Sequence, residues 1–148
     1  MELEPGPTYV LRDRDSLTQV MAAVEQDARL LPHVGLNLDI AHMRIAQVSA
    51  AFLAKHSARI LHAHICDHPD MHTRDQVPGT HTALDQRRGE FIPYLQLLVQ
   101  RCNSQLVPGG LPFSGACALE LEGCNRIAWI HQSVAMMRHL FETARNWE

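Results

Sequence analysis

The sequence predicts an α/β protein in which helices cover a parallel sheet. Short apolar runs alternate along the chain with longer amphipathic ones, and this alternation is typical of successive βα units. The chain has 148 residues, of which 46% are hydrophobic and 20% are charged, so it has the length of one domain and can bury a core. We therefore expect a single domain over residues 1–148.

The N-terminal part of the chain predicts a strand fragment, a helix and a full strand. Residues 1–7 (MELEPGP) carry the strand fragment and then a Pro-Gly-Pro turn, which cannot lie inside a helix. Asp15 and Ser16 are candidate N-caps of a helix whose apolar residues recur at helical spacing until Pro32 ends it. Residues 34–39 (VGLNLD) then predict a buried strand.

The rest of the chain repeats this alternation twice. A helix is predicted over residues 46–57, a strand over 59–65, a helix over 91–102, a strand over 116–121 and a closing helix over 125–144. A long polar loop, residues 66–88, follows the second strand, and loops of this length inside a compact domain are uncommon and usually functional. The region is rich in histidine, because five of the ten histidines lie between His62 and His81.

Acidic and imidazole side chains stand at the end of each predicted strand. They are Glu2 and Glu4 in the strand fragment, Asp39 and His42 at the first full strand, His62, His64 and Asp67 at the second, and Glu120 and Glu122 at the third. Strands that helices cover on both faces are normally almost entirely apolar. In α/β barrels and open α/β sheets, ligands bind outside the carboxyl ends of the strands. The recurrence of these groups at that end therefore predicts a metal or catalytic site.

Each of these groups also has a simpler explanation when it is taken alone. An aspartate at the end of a strand, such as Asp39, is often the N-cap of the following helix. His62 and His64 lie two residues apart and so share one face of their strand, where one of them could serve only to hold its neighbour in place. Loop residues such as His81 are often only solvated. These alternatives stay open at the level of the sequence.

Four segments carry a resemblance to a known superfamily. LNLDIAHM, RILHAHICD, the loop ending in GTHTALDQRRGEF, and SGACALELE before the last helix resemble the last strands of the xylose isomerase-like TIM barrels. That superfamily includes sugar phosphate isomerases/epimerases, ketose 3-epimerases, inosose dehydratases and endonuclease IV. The resemblance covers essentially the whole chain. It implies a partial, half TIM barrel, whose parallel βα units correspond to strands 5–8 of a (β/α)8 barrel.

The resemblance also implies a site and a reaction. The metal ligands would be Glu2, Asp39, His64 and Glu120, where Glu2 is preferred to Glu4 because the Pro-Gly turn directly follows Glu4. The ion would be Mn, Mg, Co or Zn, and the reaction would be isomerisation or epimerisation of a sugar or sugar phosphate. Glu2 and Glu120 would move the proton next to the sugar carbonyl. The remaining expected roles are substrate contacts for His42, Asp67 and His81, and the orientation of His64 by His62.

A half barrel has consequences for the form of the protein. A complete barrel has eight strands, so we expect a truncated form whose open sheet edges favour a homo-oligomer. Two alternatives to the isomerase stay open: an inactive fragment or interaction module, and an endonuclease IV-like metal-dependent phosphodiesterase. A formal net charge of -3 and an aromatic content of 5% make nucleic acid an unlikely partner.

Composition also predicts where the protein works. No apolar run approaches the roughly 20 residues that span a bilayer, so we expect no membrane partner. The first residues lack the basic and then apolar pattern of a secretory signal. The four cysteines are too far apart in the sequence for a CxxC zinc motif. We therefore expect reduced thiols in a cytoplasmic protein.

Overall fold

The sheet has three parallel strands that lie side by side in the order of the chain. The computed structural model describes residues 1–67, 88–103, 116–121 and 127–146. Within them β1 (Leu36–Asp39) pairs with β2 (Ile60–Ile65), and β2 pairs with β3 (Cys117–Leu119). Glu2 forms a parallel bridge with Asn37, so the N-terminal segment lies along the outer edge of β1. The prediction of an α/β fold with a parallel sheet is confirmed.

Helices supply the rest of the described structure. They are α1 (Arg14–Gln26), α2 (Ile40–Ile45), α3 (Ala50–Leu53), a 3-10 helix (Ala54–Arg59), α4 (Arg88–Asn103) and α5 (Ile127–Asn146). The longest two, α4 and α5, pack against each other, and α4 also contacts α3 and the 3-10 helix. Among the described residues, no helix is long and apolar enough to cross a membrane.

The two faces of the sheet differ in character. Buried side chains of one face join the helices in a single apolar core, which includes Leu36, Leu38, Ile60, Ala63 and Ile65 from the strands and Leu17, Met21, Phe91, Leu95 and Leu98 from the helices. Asn37 lies opposite His62, and Asp39 lies opposite His64. Since side chains alternate along a strand, these polar residues share the face opposite the core. The sheet therefore presents one polar face.

The first helix differs from its prediction at both ends. Asp13, rather than Asp15 or Ser16, is its N-cap, and Ser16 completes a capping box by accepting a hydrogen bond from the backbone N–H of Asp13 at 3.0 Å. The helix ends at Gln26, six residues before Pro32. The chain leaves the helix there because Asp27 accepts a hydrogen bond from the N–H of Arg29 at 2.8 Å, and local bonds of this kind compete with the helix.

Other predicted boundaries were also wrong. A short helix, α2, directly follows β1, where none was predicted, and the helix predicted over residues 46–57 is instead α3 followed by the 3-10 helix. The new helix begins at Ile40, directly after its N-cap Asp39, and ends in a Schellman arrangement, in which Val48 N–H donates to Met43 O at 2.8 Å. α4 begins at Arg88 rather than residue 91, so Pro93 lies inside it.

Candidate metal site

Four side chains from four neighbouring strand segments meet above the carboxyl end of the sheet. Glu2 lies in the bridge to β1, Asp39 ends β1, His64 lies in β2, and Glu120 directly follows β3. One ligand atom from each of the four lies within 4.8 Å of every other. Two ligand atoms on opposite sides of one divalent ion are separated by roughly 4.2–4.8 Å, so this spacing fits a common ion.

The ring nitrogen Nδ1 of His64 lies at the centre of this group. It is 2.6 Å from Oε2 of Glu120, 3.5 Å from Oε1 of Glu2 and 3.7 Å from Oδ2 of Asp39. Ligand atoms at right angles about an ion with bonds near 2.1 Å are separated by roughly 3.0 Å, which falls within this range. Nδ1 is buried, and oxygens of all three carboxylates face it. A buried nitrogen that faces three carboxylates fits a metal ligand.

Asp39 has two functions in this arrangement. Its Oδ1 accepts the backbone N–H of His42 at 2.8 Å, so Asp39 is the N-cap of α2 as well as a member of the group. The carboxylate is fully buried and also accepts the thiol of Cys66, whose Sγ is 3.4 and 3.5 Å from its two oxygens. Burial raises the pKa of Cys66, so the thiol keeps its hydrogen and acts as a donor to Asp39.

His42 lies beside the four-residue group and links it to a second one. Its Nδ1 is 3.4 Å from Oε1 of Glu2, and its Nε2 is 3.7 Å from Oε2 of Glu4. Burial by itself would lower the pKa of this imidazole, but the hydrogen bond with Glu2 and the charges of the neighbouring carboxylates outweigh it, so the pKa of His42 is raised. Glu2, Glu4 and His42 form a second set of potential ligands, which shares Glu2 with the first.

Glu2 is held in its ionised form by its neighbours. Burial by itself would raise the pKa of Glu2, but the hydrogen bonds with His42 and Asn37 and the nearby imidazole charges outweigh burial, so the pKa is lowered. Carboxylates bind cations in their ionised form. Three carboxylates this close together also repel one another, and a bound cation would relieve that repulsion. The donor set therefore fits a divalent metal.

The structure places the other predicted site residues around this group. The ring of His62 contacts the ring of His64 edge to face, with ring centroids 5.4 Å apart. Asp67 is buried and binds Arg44, whose Nη1 is 3.0 Å from its Oδ1. His81 lies outside the described residues, as does most of the long polar loop. The expected roles of these three residues stay predictions.

Sequence reasoning missed Asn37, which contacts two of the four predicted ligands. Its Nδ2 donates to Oε2 of Glu2 at 2.7 Å and lies 3.2 Å from Nε2 of His64. The available signal was its position two residues before Asp39, which puts both side chains on the same face of β1.

Comparisons with known proteins give no further guidance. No protein-family model, no curated protein and no solved structure matches the chain. The case for a function therefore depends on the geometry of the site.

Proposed function

We propose that Glu2, Asp39, His64 and Glu120 bind one divalent metal ion, and that the protein is a sugar or sugar phosphate isomerase/epimerase. The convergence of these four groups within 4.8 Å is the observation that carries the proposal. The strand order supports the further proposal of a xylose isomerase-like half barrel. Parallel strands that neighbour one another in chain order are also the pattern of a (β/α)8 barrel.

The ligand chemistry narrows the choice of metal. Three carboxylates favour a hard ion such as Mg or Mn, while one imidazole also makes Co or Zn acceptable. When bound, the ion would polarise a substrate carbonyl and make the neighbouring C–H more acidic. Such chemistry suits the carbonyl and adjacent hydroxyl of a sugar.

The protein groups would then move the proton. Glu2 is ionised and can accept a proton from carbon, although its lowered pKa makes it a weaker base, and Glu120 would return a proton from its protonated form. Return to the same carbon from the opposite side gives epimerisation, whereas return to the neighbouring carbon gives isomerisation. The raised pKa of His42 favours its protonated form, which can donate a hydrogen bond to Glu2 or to a substrate oxygen.

Proton exchange at carbon tests this proposal directly. A panel of ketoses and ketose phosphates is incubated with the protein and Mn2+ in D2O, and deuterium at the carbon next to the carbonyl is followed by NMR. We expect exchange with at least one sugar, and its loss in Glu120→Gln. Stoichiometric metal binding without exchange on any sugar would favour the alternative of an inactive fragment or interaction module.

One observation favours a second candidate, a metal-dependent phosphodiesterase of the endonuclease IV kind. Such a reaction uses more than one ion, and the set Glu2, Glu4 and His42 offers a second position beside the first. The net charge of -3 opposes a nucleic acid substrate. Metal analysis separates the candidates, because the isomerase needs one ion per chain and the phosphodiesterase needs two or more.

The open sheet supports a proposal about assembly. Within the described ranges β3 pairs with β2 alone, so its other edge offers unpaired backbone groups to a second copy of the chain. We expect a homo-oligomer by light scattering, and a monomer at micromolar concentration would count against edge pairing.

A further inference from the structure

Asn37 lies behind the candidate metal site and contacts two of its members at once. Glu2 and His64 direct Oε1 and Nδ1 toward each other, with the two atoms 3.5 Å apart. Their other polar atoms, Oε2 of Glu2 and Nε2 of His64, both contact Nδ2 of Asn37, at 2.7 and 3.2 Å. The amide of Asn37 in β1 therefore contacts both Glu2 and His64, which come from the segments on either side of this strand.

The chemistry of imidazole makes the contact with His64 decisive for metal binding. A neutral ring carries one hydrogen, and only the nitrogen without it has a lone pair for a cation. An amide nitrogen can only donate, so its contact with Nε2 is a hydrogen bond only when the ring hydrogen is on Nδ1, where Oε2 of Glu120 lies 2.6 Å away and can accept it. Nδ1 is the nitrogen that lies among the three carboxylates, so this tautomer cannot bind a cation there.

Cation binding at Nδ1 therefore requires the ring hydrogen on Nε2, where an acceptor must receive it. Asn37 carries such an acceptor in the same side chain. Its Oδ1 is buried and has no hydrogen-bond partner among the described residues. Turning the amide about its last torsion would exchange the donor for the acceptor, since the two groups have nearly the same shape.

We propose that Asn37 is a positioning residue for the candidate metal site, and that its amide selects which ring nitrogen of His64 is available to the cation. It donates to Nε2 in the metal-free protein and accepts from Nε2 in the metal-bound protein. The same rotation takes the donor away from Oε2 of Glu2 and brings Oδ1 of Asn37 toward it, so the Glu2 carboxylate must also move when the cation binds. This inference rests on the proposed metal site, and partners that fix the ring of a ligand histidine typically change metal affinity about 10–100-fold.

His62 is the competing candidate for orienting the ring of His64. That residue also contacts the ring of His64, but edge to face at 5.4 Å between centroids. His62→Phe keeps an aromatic ring at this position and removes its nitrogens. If Asn37 selects the tautomer, Asn37→Leu should change the tautomer and the metal affinity more than His62→Phe does; the reverse order would show that His62 orients the ring.

The test follows the ring nitrogens of His64 by NMR on protein labelled with 15N-histidine, with and without diamagnetic Zn2+, at pH 8. Calorimetry with Mn2+ supplies the affinity. We expect Nδ1–H in the metal-free wild type and Nε2–H with Zn2+. Asn37→Asp, whose carboxylate can only accept, should carry Nε2–H even without metal. Asn37→Leu should weaken Mn2+ binding about 10–100-fold.

The outcomes separate this inference from the proposed function. If the wild type binds Mn2+ and both Asn37 variants keep its tautomer and affinity, the role of Asn37 is refuted while the metal site stands. If the wild type binds neither Mn2+ nor Zn2+, the metal site fails and this inference fails with it. Should Asn37→Leu not fold, the tautomer in Asn37→Asp decides the question by itself.

Discussion

Replacing Asp39 by asparagine removes one charge from the candidate site and changes little else. Asparagine has nearly the same shape and is as good an N-cap, so the bond from His42 N–H that begins α2 can persist. The loss of one carboxylate relieves repulsion from Glu2 and Glu120, but it also removes attraction to the nearby imidazoles. Because these effects oppose each other, we expect the free energy of unfolding of the metal-free protein to change by at most about 1 kcal/mol.

The effect in the presence of metal is larger, because one of four ligands has lost its charge. A cation at 100 times its Kd stabilises a folded protein by about 2.7 kcal/mol. If Asp39→Asn weakens binding about 100-fold, the same concentration stabilises the variant by only about 0.4 kcal/mol. The difference of about 2.3 kcal/mol corresponds to roughly 5–9 °C in Tm for a domain of this size.

Thermal unfolding with and without Mn2+ measures this difference. Asp13→Asn is the matched control, because it makes the same substitution at another helix N-cap that is not one of the candidate metal ligands. We expect the metal-induced rise in Tm to persist in Asp13→Asn and to be mostly lost in Asp39→Asn. An equal rise in both variants would show that Asp39 does not bind the ion.

Three further predictions concern the fold. Gly35→Ala should destabilise the protein by about 1–3 kcal/mol in urea unfolding, because the added Cβ would overlap the side chain of Leu61 and lie 2.9 Å from the carbonyl oxygen of Arg59; an unchanged midpoint would contradict this close packing. Gln47 has a φ of 57°, so Gln47→Gly should stabilise by about 0.5–1 kcal/mol while Gln47→Ala does not, and equal effects of the two would count against backbone strain. The backbone hydrogen bond from Ser16 lowers the pKa of Asp13 in the folded protein. The ionised Asp13 cap therefore stabilises the fold at pH values above the pKa of Asp13 in the unfolded chain, and this stabilisation is lost as the pH falls through the lower pKa of the folded protein. The asparagine side chain does not titrate, so Asp13→Asn should lose less stability than the wild type below about pH 4. Parallel acid-unfolding curves for the variant and the wild type would refute this.

The parallel sheet and the convergence of side chains could be predicted because both follow from short-range patterns. Apolar runs separated by amphipathic segments indicate strands that run in one direction. Once the strands are parallel and adjacent, residues at their carboxyl ends must lie near one another. Asp39 and His64 meet for this reason, and they are directly opposite each other in the register of β1 and β2.

Helix boundaries could not be predicted as well, because local hydrogen bonds decide them. The apolar spacing of α1 continues beyond its true end, but Asp27 offers its carboxylate and its carbonyl oxygen to residues that follow it, including the N–H of Leu30 at 2.9 Å. Periodicity gives no sign of such a turn. The short helix α2 has too few residues to show a period and depends on its cap at Asp39.

Supporting residues such as Asn37 were hidden for a different reason. An amide inside a strand gives no pattern of its own, and its importance depends on which atoms of neighbouring strands face it. Here those atoms belong to Glu2, 35 positions earlier, and His64, 27 positions later. Contacts over such separations depend on strand register, which includes an irregularity between Leu36 and Asn37 that the sequence does not indicate.

A crystal structure of the protein grown with Mn2+, with anomalous scattering recorded at a wavelength sensitive to manganese, locates the ion itself. We expect one strong peak about 2.0–2.4 Å from an oxygen of Glu2, Asp39 and Glu120 and from Nδ1 of His64. A peak bound by other residues, or no peak in a crystal saturated with the metal, would contradict the assignment of these four side chains as a metal site.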